Sequence, residues 1–165
     1  MKNSTTPLVL DADALNCVAK QPEILLRKKV PIIITPHPGE MSRLTGLATP
    51  LVNAERERVA LDFAQKYGVV TVLKGAGTVI ASPNGKVLVN PTGNSGMATG
   101  GSGDVLAGMT ASILAQGASA FSSAAAAVYL HGLAGDIAAE KYGKISMLPT
   151  DLINCIPLAY KRCGF

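Results

Sequence analysis

The chain alternates short apolar runs with longer amphipathic segments. The apolar runs contain almost no polar positions, which predicts strands that are buried on both faces, as in a parallel sheet. The predicted strands are 8–10, 30–34, 69–73, 78–81 and 87–89. The sequence Pro83-Asn84-Gly85 predicts a tight turn between the last two strands, so this pair is expected to be antiparallel.

Apolar residues at helical spacing predict helices between and after these strands. In 53–67 the residues Val59, Phe63 and Tyr67 recur every four positions with charges between them, and Gly68 ends the pattern. The predicted helices are 38–44, 53–67, 104–116, the Ala-rich 119–142 and 151–162, the last bent or interrupted at Pro157. Strands that alternate with helices predict an α/β layered fold, with the ligand site beyond the carboxyl ends of the strands.

The composition is that of one folded domain. With 165 residues, 48% of them hydrophobic, the chain can bury a substantial core, and we expect residues 1–165 to form a single domain. The net charge is +4, but the basic residues are scattered and aromatic residues make up only 4%, which argues against a nucleic-acid surface. A small anionic ligand fits this charge better.

The ends of the chain and its cysteines bear on location. The N-terminus lacks a targeting segment, no apolar run is long enough to cross a bilayer, and the three cysteines suggest neither a disulfide framework nor a zinc site. We therefore expect a soluble cytoplasmic protein that contacts no membrane. The chain also opens directly into a strand, with no preceding βα unit, and we expect the N-terminal portion of a larger domain to be missing.

The stretch GNSGMATGGSGDVLAG, residues 93–108, holds six glycines around one carboxylate. No lysine follows these glycines as a P-loop requires, and the G-x-G-x-x-G dinucleotide fingerprint fails at Leu106. What remains is a glycine-rich turn that runs into a helix. Free N–H groups and the helix dipole make such a turn a site for a phosphate or a transferring phosphoryl group.

Asp104 is expected in the first turn of that helix, where its carboxylate would repel a bound phosphate unless it faced another atom. A substrate hydroxyl is such an atom, and Asp104 would accept its proton while the N–H groups stabilise the phosphoryl group. The plainer interpretation is that Asp104 only complements the helix dipole and that the glycines only turn the chain.

Residues 93–108 strongly resemble the signature of the NAD(P)H-hydrate dehydratase family, within the ribokinase-like superfamily. The resemblance continues, in order, through DADALN (11–16), TPHPGE (35–40), LKGAGT (73–78) and HGLAGD (131–136). It implies a ribokinase-like three-layer fold with a mainly parallel central sheet. It covers the whole chain but corresponds to the rear part of the family's domain, which lacks its N-terminal portion here.

The resemblance implies a repair reaction. ADP or ATP, with Mg²⁺, phosphorylates the ring hydroxyl of hydrated NADH or NADPH, and loss of phosphate regenerates the reduced cofactor. It implies Asp104 as the catalytic base and as a contact of the hydrated cofactor together with His37. The residues implied for nucleotide binding are Lys74, Gly75, Ala76, Gly77, Thr78 and Gly103, and those implied for the anion hole are Gly101, Ser102 and Gly103.

Most of these residues also have a purely structural interpretation. A lysine before a glycine-rich hairpin is usually part of a solvated turn, and a histidine at a helix start usually has a structural role. Asp11 and Asp13, with Asn16, could hold a magnesium-bound phosphate or water, but an Asp cap on the following helix fits equally well, and no metal ligand is assigned. His131 and Asp136 are expected to serve packing or buried hydrogen bonding.

Two other functions remain open. A ribokinase-like kinase of a vitamin precursor or sugar would use the same anion hole and aspartate but stop at the phosphate ester; the GMATGG segment argues against it, because in the resemblance it belongs to the dehydratases. The chain could also be a nucleotide-binding but inactive fragment. In either case we expect small-molecule nucleotides as ligands, a homo-oligomer, and an NAD(P)H-hydrate epimerase as a partner domain or protein.

Overall fold

The computed structural model describes residues 3–165, and its strands there form one five-stranded sheet. The strands are β1 (Leu8–Leu10), β2 (Ile32–Ile34), β3 (Val70–Leu73), β4 (Val79–Ala81) and β5 (Val87–Val89), and they lie side by side in that order. The first three are parallel, and β4 and β5 continue the sheet antiparallel. All five predicted strands are therefore confirmed, with β2, β3 and β4 beginning one or two residues later than predicted.

Helices cover both faces of this sheet. They are α1 (Ala12–Ala19), α2 (Pro38–Thr45), α3 (Thr49–Ala54), α4 (Arg56–Tyr67), α5 (Ser102–Ala115), α6 (Ala120–Tyr142) and α7 (Pro149–Arg162), with 3-10 turns at Pro22–Arg27 and Ser95–Met97. In the part of the chain that the structure describes, no helix has both the length and the apolar character needed to cross a bilayer.

One helix prediction is wrong in detail. The single helix over 53–67 is two helices, because Glu55 leaves the helical region at φ −125° and ψ 42°, and α3 begins earlier with a proline in its first turn. Of the two alternatives for the helix with Pro157, an interruption is excluded, since α7 is one element from 149 to 162. Leu152, Cys155 and Ala159 are buried on its inner face, and this packing holds α7 together despite the hydrogen bond that proline removes.

Successive side chains along each strand point to opposite faces of the sheet, so the sheet lies between two layers of helices. In β2, Ile33 packs into a core with α5, α6 and α7, whereas Ile32 and Ile34 pack into a second core with α1, α2, α3 and α4. These three isoleucines are at most 1% exposed. Burial of one such side chain stabilises the fold by about 1.5–3 kcal/mol, so the two cores hold the sheet from both sides.

The 90–97 segment lies along α6 and is pinned to it. Thr92 donates a hydrogen bond from Oγ1 to the Tyr129 carbonyl (2.9 Å), and the Asp136 carboxylate accepts from the Gly93 N–H and the Asn94 side-chain amide, both at 2.9 Å. The approach is close at Gly132, where a Cβ would overlap Thr92 Oγ1 and come within 2.8 Å of the Thr92 carbonyl carbon. Glycine is therefore required at 132.

We predict opposite effects of two glycine substitutions in neighbouring helices. Gly132→Ala should lower the free energy of unfolding by about 1–3 kcal/mol, because its Cβ overlaps the Thr92 backbone. Gly108→Ala, in α5, has open space around the new methyl group and should raise it by up to about 1 kcal/mol through helix propensity. Urea unfolding of both variants measures this, and equal effects would contradict the close packing of the 90–97 segment.

Candidate active site

The carboxyl ends of the three parallel strands meet at one edge of the sheet. Asp11 directly follows β1 and Lys74 directly follows β3, and Lys74 Nζ lies 2.7 Å from Asp11 Oδ1. The Lys74 N–H also donates to the carbonyl of Pro36, which follows β2, at 2.8 Å. All three strands are therefore tied together at the edge where open α/β sheets bind ligands.

Asp11 does not cap α1. It occupies the position before that helix, but its side chain makes no capping hydrogen bond and instead accepts from Lys74. The predicted aspartate cap at this position is therefore wrong. Asp13 is exposed and accepts only a long hydrogen bond of 3.4 Å, from Asn16. Within residues 3–165, no three His, Cys, Asp or Glu side chains are grouped so that they could hold a metal ion.

His37 caps α2 through its side chain. Its Nδ1 accepts from the Gly39 N–H at 3.0 Å and the Glu40 N–H at 3.4 Å, so the proton of the neutral ring lies on Nε2. The Glu40 carboxylate in turn accepts from the His37 N–H at 2.8 Å. This capping box is the structural role weighed for a histidine at a helix start, yet the His37 side chain remains 51% exposed and lines the cavity described below.

Glu40, the last residue of the TPHPGE motif, also lies at the site, although no role was predicted for it. Its side chain is only 6% exposed and lies 3.9 Å from Lys74 Nζ. Lys74 is therefore held between two carboxylates, those of Asp11 and Glu40. An ammonium group has three donors, so its other N–H groups stay available for an anion.

The glycine-rich turn enters α5 with some of its backbone donors free, although the Ser102 N–H donates to the Thr99 carbonyl at 3.3 Å. Gly101 precedes the helix at φ +97°, a conformation that favours glycine, and no side chain caps the helix. Among the described residues, neither the Gly103 N–H nor the Asp104 N–H has a hydrogen-bond acceptor. Free N–H groups at a helix start suit an anion, so this geometry agrees with the anion site predicted from the sequence.

Gly103 places this anion site beside the lysine. A Cβ built on Gly103 would lie 3.5 Å from Lys74 Nζ and 3.8 Å from Asp11 Oδ2. The helix start, the lysine and the first strand's carboxylate therefore share one small volume. A positive side chain and free N–H groups that converge in this way suit a phosphate.

A cavity of 650 Å³ extends from this point. Of the residues singled out in the sequence, it is lined by His37, Lys74, Gly75, Ala76, Gly77, Thr78, Ser102, Gly103 and His131. Gly101 and Asp104 do not line it; Asp104 is exposed in the first turn of α5, next to Gly103. The volume is in the range of pockets that enclose drug-sized ligands.

Arg56 supports the 74–78 loop through hydrogen bonds to backbone carbonyls. This contact was not predicted from the sequence. Its Nη2 donates to the carbonyls of Leu73 at 2.8 Å and Gly77 at 3.4 Å. A Cβ on Gly75 would come within 2.6 Å of Arg56 Nη1, so the loop lies directly on the guanidinium group. Burial lowers the pKa of Arg56 from its ordinary value. Arg56 is the first residue of α4, directly after the break at Glu55.

His131 and Ser102 meet at the buried end of the cavity. His131 Nε2 lies 3.0 Å from the Ser102 carbonyl oxygen, and both residues are at most 9% exposed. Burial, and to a lesser degree the charge of Lys74, lower the pKa of His131 to about 4, against the opposing effect of the Ser102 hydrogen bond. The ring is thus neutral near pH 7 and donates from Nε2. The Ser102 hydroxyl is buried and has no partner in the described part of the chain.

The chain belongs to the NAD(P)H-hydrate dehydratase family, whose model matches residues 1–158. It is 47% identical, over 156 residues, to the bifunctional NAD(P)H-hydrate repair enzyme Nnr of Moorella thermoacetica. The match covers 94% of this chain and 29% of that protein. The resemblance to the family is therefore confirmed.

Solved structures agree with the fold. The ADP/ATP-dependent NAD(P)H-hydrate dehydratase from Bacillus subtilis, co-crystallised with ATP and Mg²⁺, is similar at a TM-score of 0.86 and 37% identity, over 94% of this chain and 55% of that chain. A ribokinase-like superfamily protein from Enterococcus faecalis is similar at 0.76 and 32%, over 94% of this chain and 52% of that chain. The ribokinase-like fold is confirmed, and the chain spans less than two thirds of the length of each of these proteins.

We predict that His131 makes stability depend on pH. Its pKa of about 4 in the folded chain is below the ordinary value of 6.5, so the unfolded chain binds a proton that the folded chain excludes. The free energy of unfolding should therefore fall as the pH drops from 6.5 to 4, by up to about 3 kcal/mol from this residue.

Comparison with His131→Gln separates the contribution of His131 to the pH dependence of the free energy of unfolding from the contribution of the carboxylates. Urea unfolding of both proteins between pH 7 and pH 4 should show that the natural chain loses more stability than the variant. Parallel stability curves would contradict the neutral, buried state of His131.

Proposed function

We propose that this chain carries out, or forms part of a protein that carries out, the ADP- or ATP-dependent dehydration of hydrated NAD(P)H to NAD(P)H. The observation that carries the proposal is that Lys74 Nζ lies beside Gly103, whose N–H is free, and that Gly103 adjoins Asp104, an exposed residue. There, a cation and backbone N–H donors bind a phosphoryl group, and the carboxylate next to them accepts a proton from a hydroxyl. Membership of the dehydratase family supports the choice of substrate.

The first step is phosphorylation of the ring hydroxyl. Asp104 accepts the hydroxyl proton while the oxygen attacks the terminal phosphorus of the nucleotide, and the bond from that phosphorus to the leaving phosphate oxygen breaks. The free backbone N–H groups at the start of α5, above all that of Gly103, stabilise the charge on the transferring group, and Lys74 holds the nucleotide phosphates. The leaving nucleotide is AMP from ADP, or ADP from ATP.

The second step is loss of phosphate. The carbon–oxygen bond of the ester breaks with help from the ring nitrogen's electron pair, and the phosphate leaves with the bonding electrons. A proton then passes from the adjacent carbon to the departing phosphate or to water, which restores the double bond. The phosphate so formed lies at the same N–H groups that held it during transfer. A ribokinase-like kinase would stop before this step, so the release of free phosphate separates the two functions.

Mg²⁺ fits this site as the counter-ion of the nucleotide. It is usually bound by one or two carboxylates together with substrate phosphates, and Asp11 offers one carboxylate oxygen, Oδ2, on the Gly103 side. Bound Mg²⁺ would neutralise phosphate charge. The 650 Å³ cavity, lined by the 74–78 loop, is where we propose that the nucleotide binds.

We further propose that residues 1–165 act as one domain, in the cytoplasm, as a homo-oligomer and together with an NAD(P)H-hydrate epimerase domain or protein. The Moorella thermoacetica relative supports the last point, because its name describes a bifunctional repair enzyme and this chain matches only 29% of it. Size measurement of the purified chain tests the oligomeric state.

We predict that the chain restores reduced-nicotinamide absorbance from hydrated NADH with Mg²⁺ and ADP or ATP, and that Asp104→Asn slows this by about 10²–10⁴-fold through loss of the base. Glu57→Gln is the matched control, because Glu57 is also an exposed acidic residue in the first turn of a helix, α4. If Asp104 only complements the helix dipole, the two variants should behave alike, which would overturn its assignment. Phosphate ester without NADH would instead favour a kinase.

We predict that Lys74→Ala weakens binding of ADP and ATP about 10- to 100-fold, because a charge-assisted contact to phosphate is lost. Titration calorimetry gives the dissociation constants. Urea unfolding gives the loss of unfolding free energy, which should be smaller than the loss of binding free energy. Lys86→Ala, at an exposed lysine in the β4–β5 turn, is the control and should bind normally. Unchanged affinity in Lys74→Ala would mean that Lys74 is only part of a solvated turn and does not bind the nucleotide phosphates.

A further inference from the structure

The hydrogen bond between His131 and Ser102 acts on a peptide unit that belongs to the anion hole. The Ser102 carbonyl that accepts from His131 Nε2 at 3.0 Å is joined directly to the N–H of Gly103. This unit is planar and trans, so the carbonyl and the N–H point in opposite directions. A group that fixes the Ser102 carbonyl therefore also fixes the direction of the Gly103 N–H.

The start of α5 needs such a fixed point. Three glycines, at 100, 101 and 103, surround Ser102, and α5 has no side-chain cap, whereas Ser119 caps α6 and His37 caps α2. The backbone here is thus intrinsically free, and helix ends fray most easily. His131 is on α6, a helix of 23 residues whose middle is buried, and it reaches Ser102 from that rigid support.

We propose that His131 is a positioning residue that aims the Gly103 N–H at the transferring phosphoryl group. The inference rests on the proposed function and deepens it. His131 touches no reacting atom; it holds the peptide unit through its neutral Nε2–H donor. The same hydrogen bond polarises that unit and makes the Gly103 N–H a stronger donor, because hydrogen bonds in a chain reinforce one another.

Two substitutions at this position separate positioning from packing. His131→Leu fills similar space without a donor, and His131→Gln retains an amide N–H at a comparable reach. We expect kcat for NADH recovery to fall about 10- to 100-fold in His131→Leu, with the KM for the nucleotide nearly unchanged, and to return largely to normal in His131→Gln. Ser123→Ala is the control, since it removes a buried hydroxyl from α6 that has no partner in residues 3–165.

A second measurement does not depend on turnover. The amide resonance of Gly103 in a ¹⁵N spectrum reports the hydrogen bond to the adjoining carbonyl, and we expect it to shift in His131→Leu but to stay near its original position in His131→Gln and Ser123→Ala. If the natural chain shows no dehydration, the proposed function fails, while this spectrum still tests the positioning role.

The inference is overturned if the Gly103 amide is unmoved in His131→Leu. It is also overturned if both variants at 131 lose activity equally, in proportion to their loss of unfolding free energy, because a packing role alone would then explain the residue.

Discussion

Parallel pairing of β1, β2 and β3 is the constraint on which the candidate site depends. It brings the ends of three segments that are distant in the sequence to one edge of the sheet, where Lys74 binds Asp11 at 2.7 Å and the Pro36 carbonyl at 2.8 Å. The two cores on either side hold this alignment through residues such as Ile33, which no solvent reaches. Without it, the glycine-rich turn before α5 would face no cation.

α6 is the second support, and it acts on both walls of the cavity. Gly132 lets the 90–97 segment approach, Asp136 accepts its N–H groups, and His131 reaches the opposite wall at Ser102. The polar residues of the HGLAGD motif therefore hold two different segments: Asp136 binds the 90–97 segment, and His131 binds the start of α5.

Whereas the joining of the motifs in one site was implied by the resemblance to the family, the sequence itself predicted the strands and most of the helices, because these follow from local patterns of apolar, glycine and proline residues. It did not reveal Glu40 or Arg56, whose partners lie 34 and 17–21 residues away and depend on tertiary packing. The division of 53–67 was also missed, since the apolar spacing of α4 continues past the break at Glu55. Only the folded chain shows that Arg56, directly after this break, supports the 74–78 loop.

The charges near the start of α5 bear on how the proposed anion hole would stabilise a phosphoryl group. Lys74 is the nearest cation, but the carboxylates of Asp11 and Glu40 lie within 3.9 Å of it, and His131 is uncharged at neutral pH. Side-chain charge alone therefore provides little excess positive potential, and the neutral N–H groups at the start of α5 must supply much of the stabilisation. Such dipoles work only when they are held in a fixed direction before the reaction. A site of this kind depends more on the rigidity of its backbone than on the number of its cations, and it releases a product anion more easily than a cluster of lysines would.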